Sequence, residues 1–232
     1  MEHLNDINAY AASHTPEELL RYVAELFPGK VRFSSSMGQE DQVLTDMIAR
    51  GKINVQIFTL DTGRLFYETY ELMDKTTARY RIPLDVYFPE AADVEDLVRS
   101  KGINGFYESI ENRKSCCEVR KVRPLARALK GAKVWVTGIR ADQSANRQQM
   151  TFVEWDEEKQ LYKINPLLHW SLEDVNDYID RYNVPCNTLH GKGFVSIGCA
   201  PCTRAIEPGE DPRAGRWWWE TSQKECGLHG VK

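Results

Sequence analysis

Cys116 and Cys117 are adjacent, and a Cys-x-x-Cys pair, Cys199 and Cys202, follows after 81 intervening residues. Neighbouring residues in a helix or strand point in divergent directions, so an adjacent pair makes a poor disulfide and a poor double plug for a core. Adjacent thiolates do suit a compact metal cluster, whose several metal corners take ligands from different angles. The two-residue spacing of the second pair lets both sulfurs turn to one point. The expectation is one site with four sulfurs, assembled by the fold. A four-cysteine zinc site is the first alternative, although structural zinc draws two Cys-x-x-Cys pairs more readily than an adjacent one. Unliganded buried thiols would need four cysteines to coincide in these two motifs. A further cysteine, Cys226, sits near the end in Glu225-Cys226-Gly227-Leu228-His229. An ordinary thiol titrates at about 8.5, so it becomes a nucleophile at neutral pH only beside positive charge. Arg213, Arg216, Lys121 and His229 are the candidate sources of that charge.

Anion chemistry is written in two places. Ser34-Ser35-Ser36-Met37-Gly38 reads as the end of a strand running into a helix, a suitable anion seat because backbone N–H groups and the helix dipole face outward there. A simple serine cap is the plainer reading. Arg213 and Arg216 lie in a Gly- and Pro-containing loop ahead of Trp217-Trp218-Trp219, and paired guanidinium forks suit a phosphate or sulfate. The three tryptophans are expected to anchor the segment that follows by packing.

The elements that must position these residues alternate between strand and helix. A loose arm precedes a helix opened by Thr15-Pro16-Glu17-Glu18, with a threonine N-cap, proline at the first position and acids in the first turn. Strands are expected at residues 30–34, 55–60, 82–88 and 134–138, with a hairpin at 151–155 and 161–164. The loop from Ser34 to Asp41 is expected to lead into a helix through about Arg50, and further helices are expected at about 65–80, 93–101 and 105–111. Beyond Cys117 a helix to about Leu129, kinked at Pro124, returns Arg120 to the face of Cys116 and Lys121 to that of Cys117. Ser171, with an acid three residues on, caps a further helix to about Tyr182. His169 is expected to pack or cap, and Cys186 to be structural. Ligands of open parallel sheets sit beyond the carboxyl ends of strands, so Leu60-Asp61-Thr62-Gly63 is expected on the same rim as the serine loop.

The 232-residue chain is 42% hydrophobic and 28% charged, an ordinary globular composition, large enough to fold without disulfide staples. Its net charge of −4 argues against general nucleic-acid binding and leaves anion capture to local arginines. No apolar run approaches the roughly 20 residues of a spanning helix, and the polar start is no signal peptide, so no membrane partner and a cytoplasmic location are expected.

The segments Lys114-Ser115-Cys116-Cys117-Glu118-Val119-Arg120-Lys121, Gly198-Cys199-Ala200-Pro201-Cys202-Thr203-Arg204 and Glu225-Cys226-Gly227-Leu228-His229 together resemble the bacterial thioredoxin-dependent adenylylsulfate (APS) reductases, from about Ser34 to His229. The resemblance implies an α/β fold: a Rossmann-like, mostly parallel sheet of about five to six strands with flanking helices, of the adenine-nucleotide α-hydrolase-like kind, and a mobile C-terminal tail. It implies a division into residues 1–28 as arm and helix, 29–205 as the nucleotide- and cluster-binding domain, and 206–232 as substrate-binding segment and tail. It assigns a [4Fe–4S] cluster to Cys116, Cys117, Cys199 and Cys202. Nucleotide contacts fall to Ser34, Ser35, Ser36, Gly38, Leu60, Asp61, Thr62 and Gly63. The family's Gly-x-Arg-x-x-Gln-Ser-x-x-Arg segment places Arg140 and Arg147 on the anion, beside Lys121, Arg213, Arg216 and His229. Cys226 is implied to attack the sulfur of APS, giving an S-sulfonate that reduced thioredoxin, or a glutaredoxin-like donor, resolves to sulfite. A homo-oligomer is compatible with this reading. The competing readings are a 3′-phospho-APS (PAPS) reductase or dual enzyme, a branch that lacks the four cysteines; an ATP pyrophosphatase; and an iron–sulfur redox sensor.

Overall fold

The computed structural model describes residues 2–143, 147 and 149–220. Within these the chain divides into two compact units, one drawn from 2–59, 71–85 and the described part of 129–187, the other from 60–70, 86–128 and 188–220.

The first unit is built on a six-stranded sheet. Strands β1 (Val31–Ser34), β2 (Gln56–Leu60), β3 (Asp85–Tyr87), β4 (Val134–Val136), β5 (Val153–Asp156) and β6 (Leu161–Ile164) take the order β3-β2-β1-β4-β6-β5. β1 runs parallel to β2 and β4, β4 parallel to β6, and only the β5–β6 hairpin is antiparallel. Val134-Trp135-Val136 is buried at every position, as a strand covered on both faces must be. The Trp135 indole N–H, which cannot be left unpaired in a core, donates to Ser34 Oγ at 2.8 Å.

Helices α1 (Leu4–Ala11), α2 (Pro16–Leu26), α3 (Gln39–Arg50), α4 (Tyr67–Tyr80) and α8 (Leu172–Tyr182) flank this sheet's strands in sequence, with α5 (Ala91–Lys101), α6 (Ile110–Cys117) and α7 (Arg123–Ala128) between β3 and β4. α2 opens with the expected proline and a full Thr15–Glu18 capping box, and its Leu19, Leu20, Val23 and Ala24 are buried at helical spacing. The expected loose arm is instead α1. Its Ile7 and Ala11 are buried, and Asn8 bonds the backbone of Val153 both ways, donating at 3.0 Å and accepting at 3.0 Å. The expected strand at 82–88 shortens to three residues, and α8 carries the Ser171–Asp174 capping box. His169 packs edge-on against Phe152, as the sequence suggested.

In the second unit the expected continuous helix after Cys117 widens into a π-helical turn over Glu118–Val122 before α7 begins. Pro124 follows that turn without a break in the helix; it lacks the N–H that would reach the Arg120 carbonyl and its ring crowds that carbonyl, so the expected kink at Pro124 takes the form of the widened turn just ahead of it. Among the described residues, no helix is long and apolar enough to cross a membrane.

Candidate functional site

In the first unit the serine loop is held from inside. Asp41, buried on the first turn of α3, accepts the Ser36 N–H and the Ser36 hydroxyl, both at 2.6 Å. The Gly138 N–H also bonds to Asp41, and a Cβ at Gly138 would overlap that carboxylate. Burial pushes the Asp41 carboxyl up to about 7, against the lowering effect of the Ser36 hydrogen bonds. Met37 takes a left-handed backbone, φ 63°, with its side chain buried, and its N–H donates to Ser35 Oγ at 3.2 Å. Of the expected contact residues, Ser34 accepts from Trp135 and Ser36 is committed to Asp41. Ser35 caps its own loop, and Gly38 is the N-cap of α3.

Arg140 and Arg147 join this loop through Glu40 and Gln143. The Arg140 Nε donates to Glu40 Oε1 at 2.9 Å, and Gln143 Nε2 donates to the same oxygen at 2.9 Å. Arg147 Nη1 donates to Gln143 Oε1 at 2.5 Å. Arg140 also pairs with Asp142. Asp41, Glu40 and Gln143 are functional candidates that the sequence reading passed over. The available signal was the spacing of two acids in the first turn of a helix behind a serine loop.

The second unit gathers the cysteines. Cys116, Cys117, Cys199 and Cys202 line one recess, walled by Phe106 and Pro201 and surrounded by Arg64, Arg113, Arg120 and Lys121. α6 delivers the adjacent pair at its C-terminal end, and a 3-10 turn over Ala200–Cys202 delivers the other. The Asp61-Thr62-Gly63 loop closes on the second pair. The Thr62 hydroxyl lies 3.2 Å from Cys199 Sγ, and the Thr62 carbonyl accepts Arg120 Nη1 at 2.6 Å. Asp61 Oδ1 holds the turn by accepting the Gly63 N–H at 2.7 Å and the Tyr70 hydroxyl at 3.0 Å. Gly63 is needed there, with φ 71° and the Arg120 guanidinium 3.4 Å from where a Cβ would stand. The expected return of Arg120 to Cys116 is realised as a hydrogen bond. Cys117 is met by Arg113, four residues before it, and the Lys121 charge acts on Cys202.

Burial pushes the Cys202 thiol up to about 12, with Cys199 and Cys117 adding to the effect and Arg216 and Lys121 opposing it. Cys116 is raised by burial as well. Thiols so placed stay protonated at neutral pH unless a cation is bound among them. Among the described residues, no three His, Cys, Asp or Glu side chains stand where they could hold a metal ion. The four sulfurs share a recess rather than a point, a layout that fits a body of several atoms better than tetrahedral zinc. Three buried donors at or near these cysteines, Arg120 Nε, Arg216 Nε and Trp219 Nε1, have no hydrogen-bond partner among the described residues. Such donors suit an anionic acceptor, as a thiolate-ligated iron–sulfur cluster is.

Downstream, Arg216 is buried with its guanidinium 4.9 Å from the Trp217 ring. A Cβ on Gly198 would stand 2.6 Å from its Cζ, so this glycine leaves the space that Arg216 fills. Arg213 is half-buried, its N–H donating to Asp211 at 2.7 Å. Trp217 is buried as an anchor, its N–H donating to the Cys202 carbonyl at 3.2 Å. Cys226 and His229 lie outside the described residues.

Residues 30–205 match the family model described as the phosphoadenosine phosphosulfate reductase domain. The adenosine 5′-phosphosulfate reductase of Sinorhizobium fredii is 52% identical over 202 residues, covering 87% of this chain and 80% of its own. That of Allochromatium vinosum is 51% identical over 198 residues, covering 85% and 77%. A crystal structure of phosphoadenylyl-sulfate (PAPS) reductase from Candida auris superposes with a TM-score of 0.76 at 30% identity, covering 89% of this chain and 97% of that one.

Proposed function

Because the chain belongs to the phosphoadenosine phosphosulfate reductase domain family, we propose that it reduces adenosine 5′-phosphosulfate to sulfite and AMP, the substrate for which its relatives at about half identity are named. The observation that carries this reading is the convergence of Cys116, Cys117, Cys199 and Cys202, with four cations, on one recess. These four cysteines would hold a [4Fe–4S] cluster. When bound, it supplies a fixed block of negative charge that orders Arg120, Arg113 and Lys121 around it, and no electron need pass through it.

The two electrons come from thiols. The Cys226 thiolate attacks the sulfur of the substrate, the bond from that sulfur to the bridging phosphate oxygen breaks, and AMP leaves with the electron pair. Cys226 then carries an S-sulfonate. A reduced dithiol donor of the thioredoxin or glutaredoxin class attacks the Cys226 sulfur, sulfite departs with the pair, and the donor's second thiol resolves the mixed disulfide. The positive charge that lowers the Cys226 pKa and receives the phosphosulfate is assigned to Lys121, Arg213, Arg216 and His229, with Arg140 and Arg147 on the serine-loop side. A cytoplasmic location, where reduced dithiol donors are maintained, follows from the same chemistry.

One experiment tests the core of this. Protein purified without oxygen is expected to hold iron and acid-labile sulfide in equal amounts, and to consume APS in preference to PAPS when both are offered. Cys226→Ser is expected to keep its iron and its affinity for AMP while producing no sulfite. Donor-driven turnover by that variant would end the mechanism. Preference for PAPS would favour the reading suggested by the likeness to the Candida auris enzyme.

A further inference from the structure

One buried ion pair in the second unit is unexplained by cluster holding or by anion capture. Arg113, on α6 four residues before Cys117, donates from Nε to Glu220 Oε1 at 2.8 Å and from Nη2 to Glu220 Oε2 at 2.9 Å. Both side chains are almost wholly buried, 4% and 3% exposed. The same guanidinium lies 4.4 Å from the centre of the Trp217 ring and bonds to the Cys117 thiol. A single side chain therefore touches the cysteine pair, the buried tryptophan and the last described residue of the chain.

Energetics makes such a pair a poor choice for stability alone. Desolvating two charges cancels most of their attraction, and well-packed apolar side chains of similar volume serve a core as well or better. What the pair adds is geometry, because a bidentate fork fixes its carboxylate in both direction and plane. Glu220 is also a turn residue, its N–H donating to the Trp217 carbonyl at 2.9 Å, so fixing its carboxylate fixes the backbone there.

We propose that Arg113 and Glu220 are positioning residues that pin the root of the C-terminal segment to the cysteine-bearing helix, and so set where Cys226 starts from. The proposal rests on the reading above that Cys226 carries the sulfonate. Six peptide steps separate Glu220 from Cys226, which holds the nucleophile within about 20 Å of the pinned residue. Released at Glu220, the chain would next be held at Trp217, where its N–H meets the Cys202 carbonyl, and the reach would grow to about 30 Å. The larger search volume and the lost heading both reduce productive encounters.

The test uses iron-loaded protein made without oxygen, given APS and no thiol donor, so that only one sulfonate per chain can form. Its rate of appearance on Cys226 is followed by mass spectrometry in wild type, in Glu220→Gln and in the paired apolar variant Arg113→Met with Glu220→Met. The pair with both charges removed guards against misfolding from a stranded charge. In both variants the rate is expected to fall tenfold or more, and backbone amides at 217–220 to exchange faster with deuterium. In Glu220→Gln, which keeps Arg113 beside Cys117, iron content and AMP affinity are expected to stay at wild-type values. Wild-type rates in both variants, or a loss of rate matched by equal losses of iron and AMP binding, would overturn the proposal. Wild-type protein that forms no sulfonate at all would instead remove the nucleophile reading, and the proposal with it.

Discussion

Gly198 shows how a residue without a side chain can govern one that has a charge. The Arg216 guanidinium fills the space where a Cβ on Gly198 would be, at 2.6 Å from Cζ and 2.8 Å from Nη1. The obstructing atoms are the far end of a flexible side chain, so Gly198→Ala should displace the arginine rather than the backbone. Losing one charge-assisted hydrogen bond to an anion costs about 1.5–3 kcal/mol, so kcat/KM for APS is expected to fall about 10- to 100-fold with the unfolding temperature nearly unchanged. Steady-state kinetics beside a thermal melt decide it, and unchanged kinetics would remove Arg216 from the substrate contacts. Asp41 poses the complementary case of a charge hidden beneath a loop. Its carboxyl is pushed up to about 7, so between about pH 4 and pH 7 the folded protein keeps a proton that the unfolded chain has lost. Stability from this group is therefore full at low pH, falls as pH rises through that window and is flat above it. Thermal unfolding of wild type minus that of Asp41→Asn, measured across pH, should decline over that range; a rise would mean that the Ser36 and Gly138 hydrogen bonds outweigh burial.

At the scale of elements, what could be read from the sequence was whatever local chemistry determines. The Thr15 and Ser171 capping boxes, the β5–β6 hairpin and the buried central strand each follow from residues within a few positions of one another, and the structure has all of them. The helix at Leu4–Ala11 was missed because its signal is tertiary. Only Ile7 and Ala11 are buried, no side chain caps it, and Asn8 is fixed by a strand 145 residues away. The π-helical turn was missed for a related reason. Pro124 marks where the helix must give, but that it gives as a wider turn, with Arg120 at 7% exposure beside Cys116, is set by packing that the local sequence does not show. The site divides the same way. The four cysteines declared themselves by spacing, whereas Asp41, Gln143, Arg113 and Glu220 act through partners that spacing does not show. Asp61 and Thr62 were placed on the nucleotide by motif, and their observed bonds go to Gly63, Tyr70 and Cys199.

The two units of the molecule are unequally provided with apolar core. In the first, twenty-two buried residues form one hydrophobic cluster around the sheet, from Ile7 to Val175. In the second, a buried cluster consists of Phe106, Cys202 and Trp217, with Cys116, Cys199 and Trp219 packed against it, so its aromatic side chains share their packing with three of the cysteine ligand candidates. Large hydrophobics such as Tyr67, Phe88, Ile103 and Val195 are left exposed in that unit. The same unit also buries Val119, Leu125, Ala128 and Leu189, and a core that packs against metal ligands gains stability when the metal is bound. The thiols and unpaired donors of the second unit point the same way, since burial raises the Cys202 thiol, and Arg120 Nε, which faces the recess, and Trp219 Nε1 have no acceptor among the described residues. Removal of iron by a chelator under oxidising conditions is therefore expected to act on one unit. Amides in residues 60–70, 86–128 and 188–220 should lose most of their protection against deuterium exchange, while those in 1–59, 71–85 and 129–187 keep theirs. Reconstitution with iron and sulfide should restore the lost protection. Equal loss across both units would mean that the cluster supports the whole fold rather than the half that carries its ligands, and no loss in either would show that the second unit holds without the cluster, through pairs such as Arg113–Glu220 and Arg204–Glu210 and its buried apolar side chains.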